Sequence, residues 1–341
     1  MSKHESTGKR VLKSILKLSF VVGLLYFLSK KGFLSIQDTQ RAFGRLDLLL
    51  PALALLFLNL FLGSFRWQLL LKAQGIGIKI TRNFQLSLIG NFFNIALPGA
   101  VSGDFVKAFY IGNELSGKRG RAFGAILFDR VSGLSALVFL SAGVLIFGHD
   151  HLSRSVIVGT RPLILTAAFC FVLFYTYLFL VKEHHDPVLR LLRNLEDRVP
   201  KLGAIVRIYL GLRHYHHHRI TVLKVLLLSM GIHLMVGWSC LQFALALGET
   251  GVQLLPVYVV VPLGLLITAV PVAPAGVGTG HAAFSYLFNL IGSARGADVF
   301  TLLALSNVIF GAIGGIVYLR FRGHEPKPVL GEERSGSVSL A

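Results

Sequence analysis

Five charged residues stand where charge is expensive. Asp129 and Arg130 lie roughly 10 Å inside a long apolar run by helical rise, Arg66 with Trp67 closes another, and Asp104 and Lys107 follow a Gly/Pro-rich break. Ionisable side chains at such depth face a bundle interior, a wet cavity or one another. Asp104 and Lys107 are three apart, hence on one helical face; Asp104 is placed to cap its helix and Lys107 to offer charge to a ligand. A structural ion-pair network among Asp104, Lys107, Asp129 and Arg130 is the plain alternative. Glycosyl or phosphoryl transfer needs metal-binding carboxylates or a paired acid and base, and here two isolated carboxylates each sit beside a cation. No catalytic residue, metal or cofactor is therefore expected.

The neutral polar residues carry weaker signals. Asn59, Asn91, Asn94, Asn307, His233 and Gln242 fit either a cavity wall or ordinary interhelical hydrogen bonds, and Asn91 and Asn94 join the candidate site. His281 begins a helical arm as a titratable headgroup contact. The run His214-Tyr215-His216-His217-His218 lacks metal-ligand spacing and reads as a pH-sensitive contact with anionic lipid headgroups.

Composition decides what must position these residues. Of 341 residues 54% are apolar and 15% charged, with 34 Lys+Arg against 16 Asp+Glu. A soluble globule carries about 25% charged residues, so that class is excluded. The excess of base punctuates apolar runs instead of forming one face of a polar domain, which excludes a nucleic-acid binder. Cys170 and Cys240 both lie inside apolar runs, so neither a disulfide framework nor a zinc site is indicated. The chain reads as an all-α polytopic membrane protein.

A spanning helix needs about 20 apolar residues, and six stretches qualify: Val11–Leu28 (an uncleaved anchor), Leu48–Phe65, Ala122–Phe147, Pro162–Val181, Val222–Leu247 and Val299–Leu319. Two further pieces, residues 83–115 and 256–291, are broken by Gly and Pro into arms of about 20 Å. Each reads as a re-entrant helical hairpin. With both termini cytoplasmic, 27 of the 34 Lys and Arg fall on the inner side, as the positive-inside rule requires. The organisation is then an anchor helix and outer loop (1–47), a first membrane half (48–181), a cytoplasmic loop (182–219), a second half (220–320) and a cytoplasmic disordered tail (321–341). Within the loop, Pro187–Val199 is amphipathic and suits the inner leaflet surface.

This scheme makes the second half an inverted copy of the first. The broken segments correspond: Pro98, Gly99 and Gly103 in one, Pro271, Pro274, Gly276 and Gly278 in the other. Paired interruptions of this kind point to a transport site near the midplane, and the second arm of each hairpin would aim a helix N-terminus, an anion-binding end, into it.

The block Asn91–Lys107 (NFFNIALPGAVSGDFVK), the pairs Arg66-Trp67 and Asp129-Arg130, and the block Pro271–Phe284 (PVAPAGVGTGHAAF) resemble the flippase-like family named after the transmembrane region of lysylphosphatidylglycerol synthases, over Leu48 to Leu319. The resemblance implies an integral protein of the cell membrane that moves lipid between leaflets. It implies a substrate path through Arg66, Pro98, Gly99, Gly103, Asp104, Lys107, Asp129, Arg130, Pro274, Gly276 and Gly278. His281 stands where many relatives carry an acidic residue, and Lys107 near an arginine position, so a more basic site favours an anionic substrate. Only about 20 residues follow the last span, too few for an aminoacyl-transferase domain, so lipid aminoacylation by this chain is not expected. The expected function is translocation of an anionic phospholipid or polyprenyl-phosphate-linked intermediate, with a lipid-modifying enzyme as partner. A membrane-embedded transferase acting on such a lipid is the alternative, and a small-molecule exporter the third reading.

Overall fold

The structure, a computed structural model, describes residues 40, 42–96, 102–114, 119–182, 185–199, 202–269 and 278–321. The expected anchor Val11–Leu28, the tail, and the two hairpin turns with Pro98, Gly99, Pro271, Pro274 and Gly276 lie outside them. The described residues form eleven α-helices and no strand: α1 (Leu46–Ala73), α2 (Ile80–Ala96), α3 (Ser102–Glu114), α4 (Arg119–Phe147), α5 (Arg154–Leu180), α6 (Pro187–Arg198), α7 (Gly203–Arg213), α8 (Arg219–Ala246), α9 (Leu254–Thr268), α10 (Thr279–Leu290) and α11 (Gly296–Phe321). Five of them, α1, α4, α5, α8 and α11, are long and apolar enough to cross a membrane.

The helices begin where the side chains dictate. Ser153 accepts from the Val156 N–H to cap α5, and Asp186 accepts from the Leu189 N–H to cap α6, with Pro187 at its first position. Gly278 opens α10 at φ +90°, a conformation that glycine adopts without a Cβ penalty. α1 runs eight residues beyond the expected end of its span, which places Arg66 and Trp67 inside the helix, not at its close. The apolar run marks only the lipid-facing part, and a helix continues wherever packing satisfies it.

The packing has a recurrent plan. α2 lies against α3, and α9 against α10; α3 lies against α4, and α10 against α11; α1 meets α2, and α8 meets α9. α2 also packs on α11 while α9 packs on α4, and α1 and α8 face each other along their length. Exchanging α1–α4 for α8–α11 thus maps this list of neighbours onto itself. Backbones approach closely at the crossings. A Cβ on Gly103 of α3 would collide with the Gly90 carbonyl of α2, and one on Gly314 of α11 with the Leu88 carbonyl.

Two apolar cores result. One joins Leu49, Ala52 and Leu56 of α1 to Cys240 and Phe243 of α8, with α9, α10 and α11. The other joins Trp67, Leu70 and Leu71 of α1 to Val222 and Val225 of α8, with α2, α3, α7 and the first part of α4. Between them, halfway along α1, α4 and α8, the lining changes character.

Candidate functional site

The gap between the cores holds a cavity of about 460 Å³. α1 contributes Asn59, Gly63 and Arg66; α2 Asn91 and Asn94; α4 Asp129, Arg130 and Gly133; α8 His233; α9 Thr268; and α11 Asn307. Both halves of the chain therefore build it. Asn59, Asp129, Arg130, His233 and Asn307 sit in the middle part of helices of 26 to 29 residues, about 40 Å long, whereas Asn91, Asn94 and Thr268 come from the last turns of the shorter α2 and α9.

The charges form two groups. Arg66 holds Asp129 with both arms of its fork, Nε to Oδ1 at 2.8 Å and the second nitrogen to Oδ2 at 2.9 Å, and donates to Ser229 Oγ at 3.0 Å. Bidentate guanidinium–carboxylate pairing fixes orientation as well as charge. Asp104 accepts from Lys107 Nζ at 2.7 Å and from Arg130 Nε at 2.5 Å. Lys107 also lies 4.6 Å above the Trp67 ring, a cation–π contact. The sequence expectation of one network among Asp104, Lys107, Asp129 and Arg130 thus becomes two, because Arg66 claims Asp129. Three cations meet two carboxylates; Arg66 and Arg130 both line the cavity, and Arg130, whose side chain is 44% exposed, is the more open of the two.

The amides and the histidine are less well served. Asn94 Oδ1 accepts from the Gly103 N–H at 2.8 Å, tying α2 to the start of α3. Both side-chain polar atoms of Asn59, Nδ2 of Asn91 and Nδ1 of His233 are buried without a partner among the described residues. His233 donates its Nε2 proton to the Gly133 carbonyl at 3.1 Å, which leaves Nδ1 as a bare acceptor. An unmade hydrogen bond at a buried group costs about 1–3 kcal/mol. Four such atoms on the residues of one cavity mark a place built for something other than packing.

Other candidate residues lie elsewhere. Lys107 and Gly103 stand behind the cavity wall, at the α2–α3 contact. His281 is buried inside α10, 3% exposed. Its Nδ1 accepts from the Gly278 N–H at 3.3 Å, and its Nε2 meets Thr301 Oγ1 at 3.1 Å, which donates onward to the Ala297 carbonyl. That chain fixes a neutral imidazole and ties the start of α10 to α11, a positioning role in place of the expected headgroup contact. The histidine run also has another use: His214 Nε2 bonds the Ala73 carbonyl at 3.0 Å, Tyr215 donates to the Leu70 carbonyl at 3.0 Å, and His216 Nδ1 bonds the Leu178 carbonyl at 2.9 Å. These carbonyls lie in the last turns of α1 and α5, where intrahelical partners run out. Ser229, Thr268 and Gly133 were not legible as site residues, since single small polar residues in apolar helices carry no distinguishing signal.

The family model for the lysylphosphatidylglycerol synthase TM region matches residues 14–323. The chain belongs to that family. It is accordingly a multi-pass, all-helical membrane protein related to lipid metabolism, and the resemblance carried by Asn91–Lys107 and Pro271–Phe284 was to the correct group. No match was found among curated proteins or among solved structures.

Proposed function

We propose that the chain moves an anionic phospholipid or lipid-linked intermediate between leaflets, its headgroup held in the central cavity by Arg66 and Arg130 while the acyl chains stay in the bilayer. One observation carries this reading: a cavity with two guanidiniums and unpartnered amides lies midway along helices long enough to cross a membrane. In this reading α2–α3 and α9–α10 are re-entrant hairpins of an inverted repeat, entering from opposite sides, and both termini are cytoplasmic. The exchange of neighbours between α1–α4 and α8–α11 supports it, as does the ending of both α2 and α9 beside the cavity, with Asn94 and Thr268 in their last turns, since helix ends inside a membrane are tolerated where they line a cavity. A lipid-modifying enzyme would supply the substrate.

Reconstitution into vesicles with fluorescent phosphatidylglycerol tests the proposal. The wild type is expected to equilibrate the probe between leaflets faster than empty vesicles, and Arg66→Gln to fall back to the empty-vesicle rate. Wild-type vesicles indistinguishable from empty ones would remove the transport reading. Chemical turnover of the lipid would replace it with the transferase.

A further inference from the structure

A second cavity, of about 370 Å³, lies at the other end of α4, away from the site just described. Its walls are Gln74 just after α1, Arg121 in the first turn of α4, Arg207 and Gly211 of α7, and His214 and His217 of the histidine run. A glycine contact creates it. A Cβ on Gly124 would meet the Gly211 backbone at 2.8–2.9 Å, and one on Gly120 would touch Arg207 Cβ at 3.0 Å, so α4 and α7 close on each other and bring Arg121 and Arg207 to one opening.

No carboxylate lines this cavity. Among the described residues neither Arg121 nor Arg207 makes an ion pair. Glu196 approaches Gly203, one turn before Arg207, without pairing with it. Two guanidiniums that open on one cavity without an ion pair are free to give an anion charge-assisted hydrogen bonds. The first turn of α4 adds the positive end of a long helix dipole. Gln74 supplies an independent sign of a ligand. It is 1% exposed, its Nε2 donates to the Gly211 carbonyl at 2.5 Å, and its Oε1 has no partner among the described residues. A group offering several anionic oxygens and a hydroxyl proton would satisfy both the guanidinium forks and that acceptor.

We propose that this cavity binds a phosphate-class anion, either the phosphate of an anionic lipid headgroup or free phosphate, at a site separate from the central cavity. The inference does not rest on the transport reading. In the proposed orientation the site lies at the inner leaflet, beside the amphipathic α6.

Binding to the purified full chain in neutral detergent, at fixed ionic strength, tests this with three probes: inorganic phosphate, dioctanoyl phosphatidic acid and dioctanoylglycerol. Saturable binding of phosphate is the expected result for a free-anion site. Binding of the short phosphatidic acid with none of phosphate assigns a headgroup site. In either case, measured in the Arg130→Gln background so that the central cavity does not compete for the acid, Arg121→Gln/Arg207→Gln should weaken affinity at least about tenfold, with Arg190→Gln/Arg193→Gln on α6 unchanged. Both targeted arginines are exposed and unpaired, so removing them leaves no buried orphan charge, and an unshifted melting temperature confirms the fold. Equal binding by the double variant, loss in the α6 control, binding of dioctanoylglycerol as tight as that of the acid, or no saturable binding would each overturn the proposal.

Discussion

Two Arg–Asp pairs in this molecule use the same chemistry to opposite ends. Beyond the end of α5, Asp186 meets Arg213 Nε at 2.9 Å, with side chains 0% and 3% exposed. The carboxylate also accepts from Tyr177 Oη at 2.6 Å, Tyr209 Oη at 2.8 Å and the Leu189 N–H. Arg213 further donates to the Leu178 and Val181 carbonyls at the end of α5. Burial pushes the Asp186 carboxyl up, but those hydrogen bonds and the Arg213 charge outweigh it and hold it below the usual carboxylate range. This pair rivets α5, α6 and α7 together. Arg66–Asp129 is the better-aligned pair, bidentate where Arg213 Nε faces Asp186 without making a hydrogen bond, yet one side of it is a cavity whose amides and histidine lack partners. Depth and pairing do not separate structure from function; a cavity beside the pair, with several partnerless amide and imidazole atoms on its residues, does.

The comparison can be broken at either pair. Arg213→Ala leaves Asp186 buried and uncompensated and is expected to cost about 3–5 kcal/mol, read as a large fall in melting temperature in detergent, with leaflet exchange per folded molecule unchanged. A melting temperature equal to wild type would mean that Arg213 is no rivet. Gly103→Ala forces α3 off Gly90 and should cost about 1–3 kcal/mol, and chemical cross-linking between α2 and α3 would register the separation. Arg130→Gln removes a half-exposed cation, so stability should change by about 1 kcal/mol or less while anionic lipid retained through purification, counted by mass spectrometry, falls at least about tenfold. Retained lipid at the wild-type level would detach Arg130 from the headgroup. Smallest in stability is Asn59→Leu, which deletes two orphan atoms and should be neutral or stabilising by about 1 kcal/mol. Its use is in the sign: a clear loss of stability would show that Asn59 has a structural partner after all.

Five of the six expected spans were legible because an apolar run of bilayer length has few other readings, and the shorter helices α2, α3, α9 and α10 because Pro and Gly interrupt such runs. The site was legible only in part. Asp129-Arg130 and Asp104-x-x-Lys107 stand out locally, but Arg66 and Asp129 are 63 residues apart, and no spacing rule joins them. His233 and Asn59 looked like ordinary interhelical donors, since what distinguishes them is a missing partner, which only packing can reveal. The histidine run was legible only in part. Its residue types suggest a polar surface contact, but the carbonyls that His214, Tyr215 and His216 bond at Ala73, Leu70 and Leu178 leave no trace in the sequence.

The contact of Gly314 with Leu88 has a mechanical consequence. It locks the first arm of one broken segment to the last helix of the other half, and α9 returns the grip on α4. The two halves are clasped like interlaced fingers, so neither can swing as a rigid block. If access alternates, the moving bodies must be mixed sets, α2 with α11 against α9 with α4, and the shear falls along the α1–α8 seam. For the same reason the halves should be unable to fold as separate chains, because each leaves bare the groove that the other's arm fills.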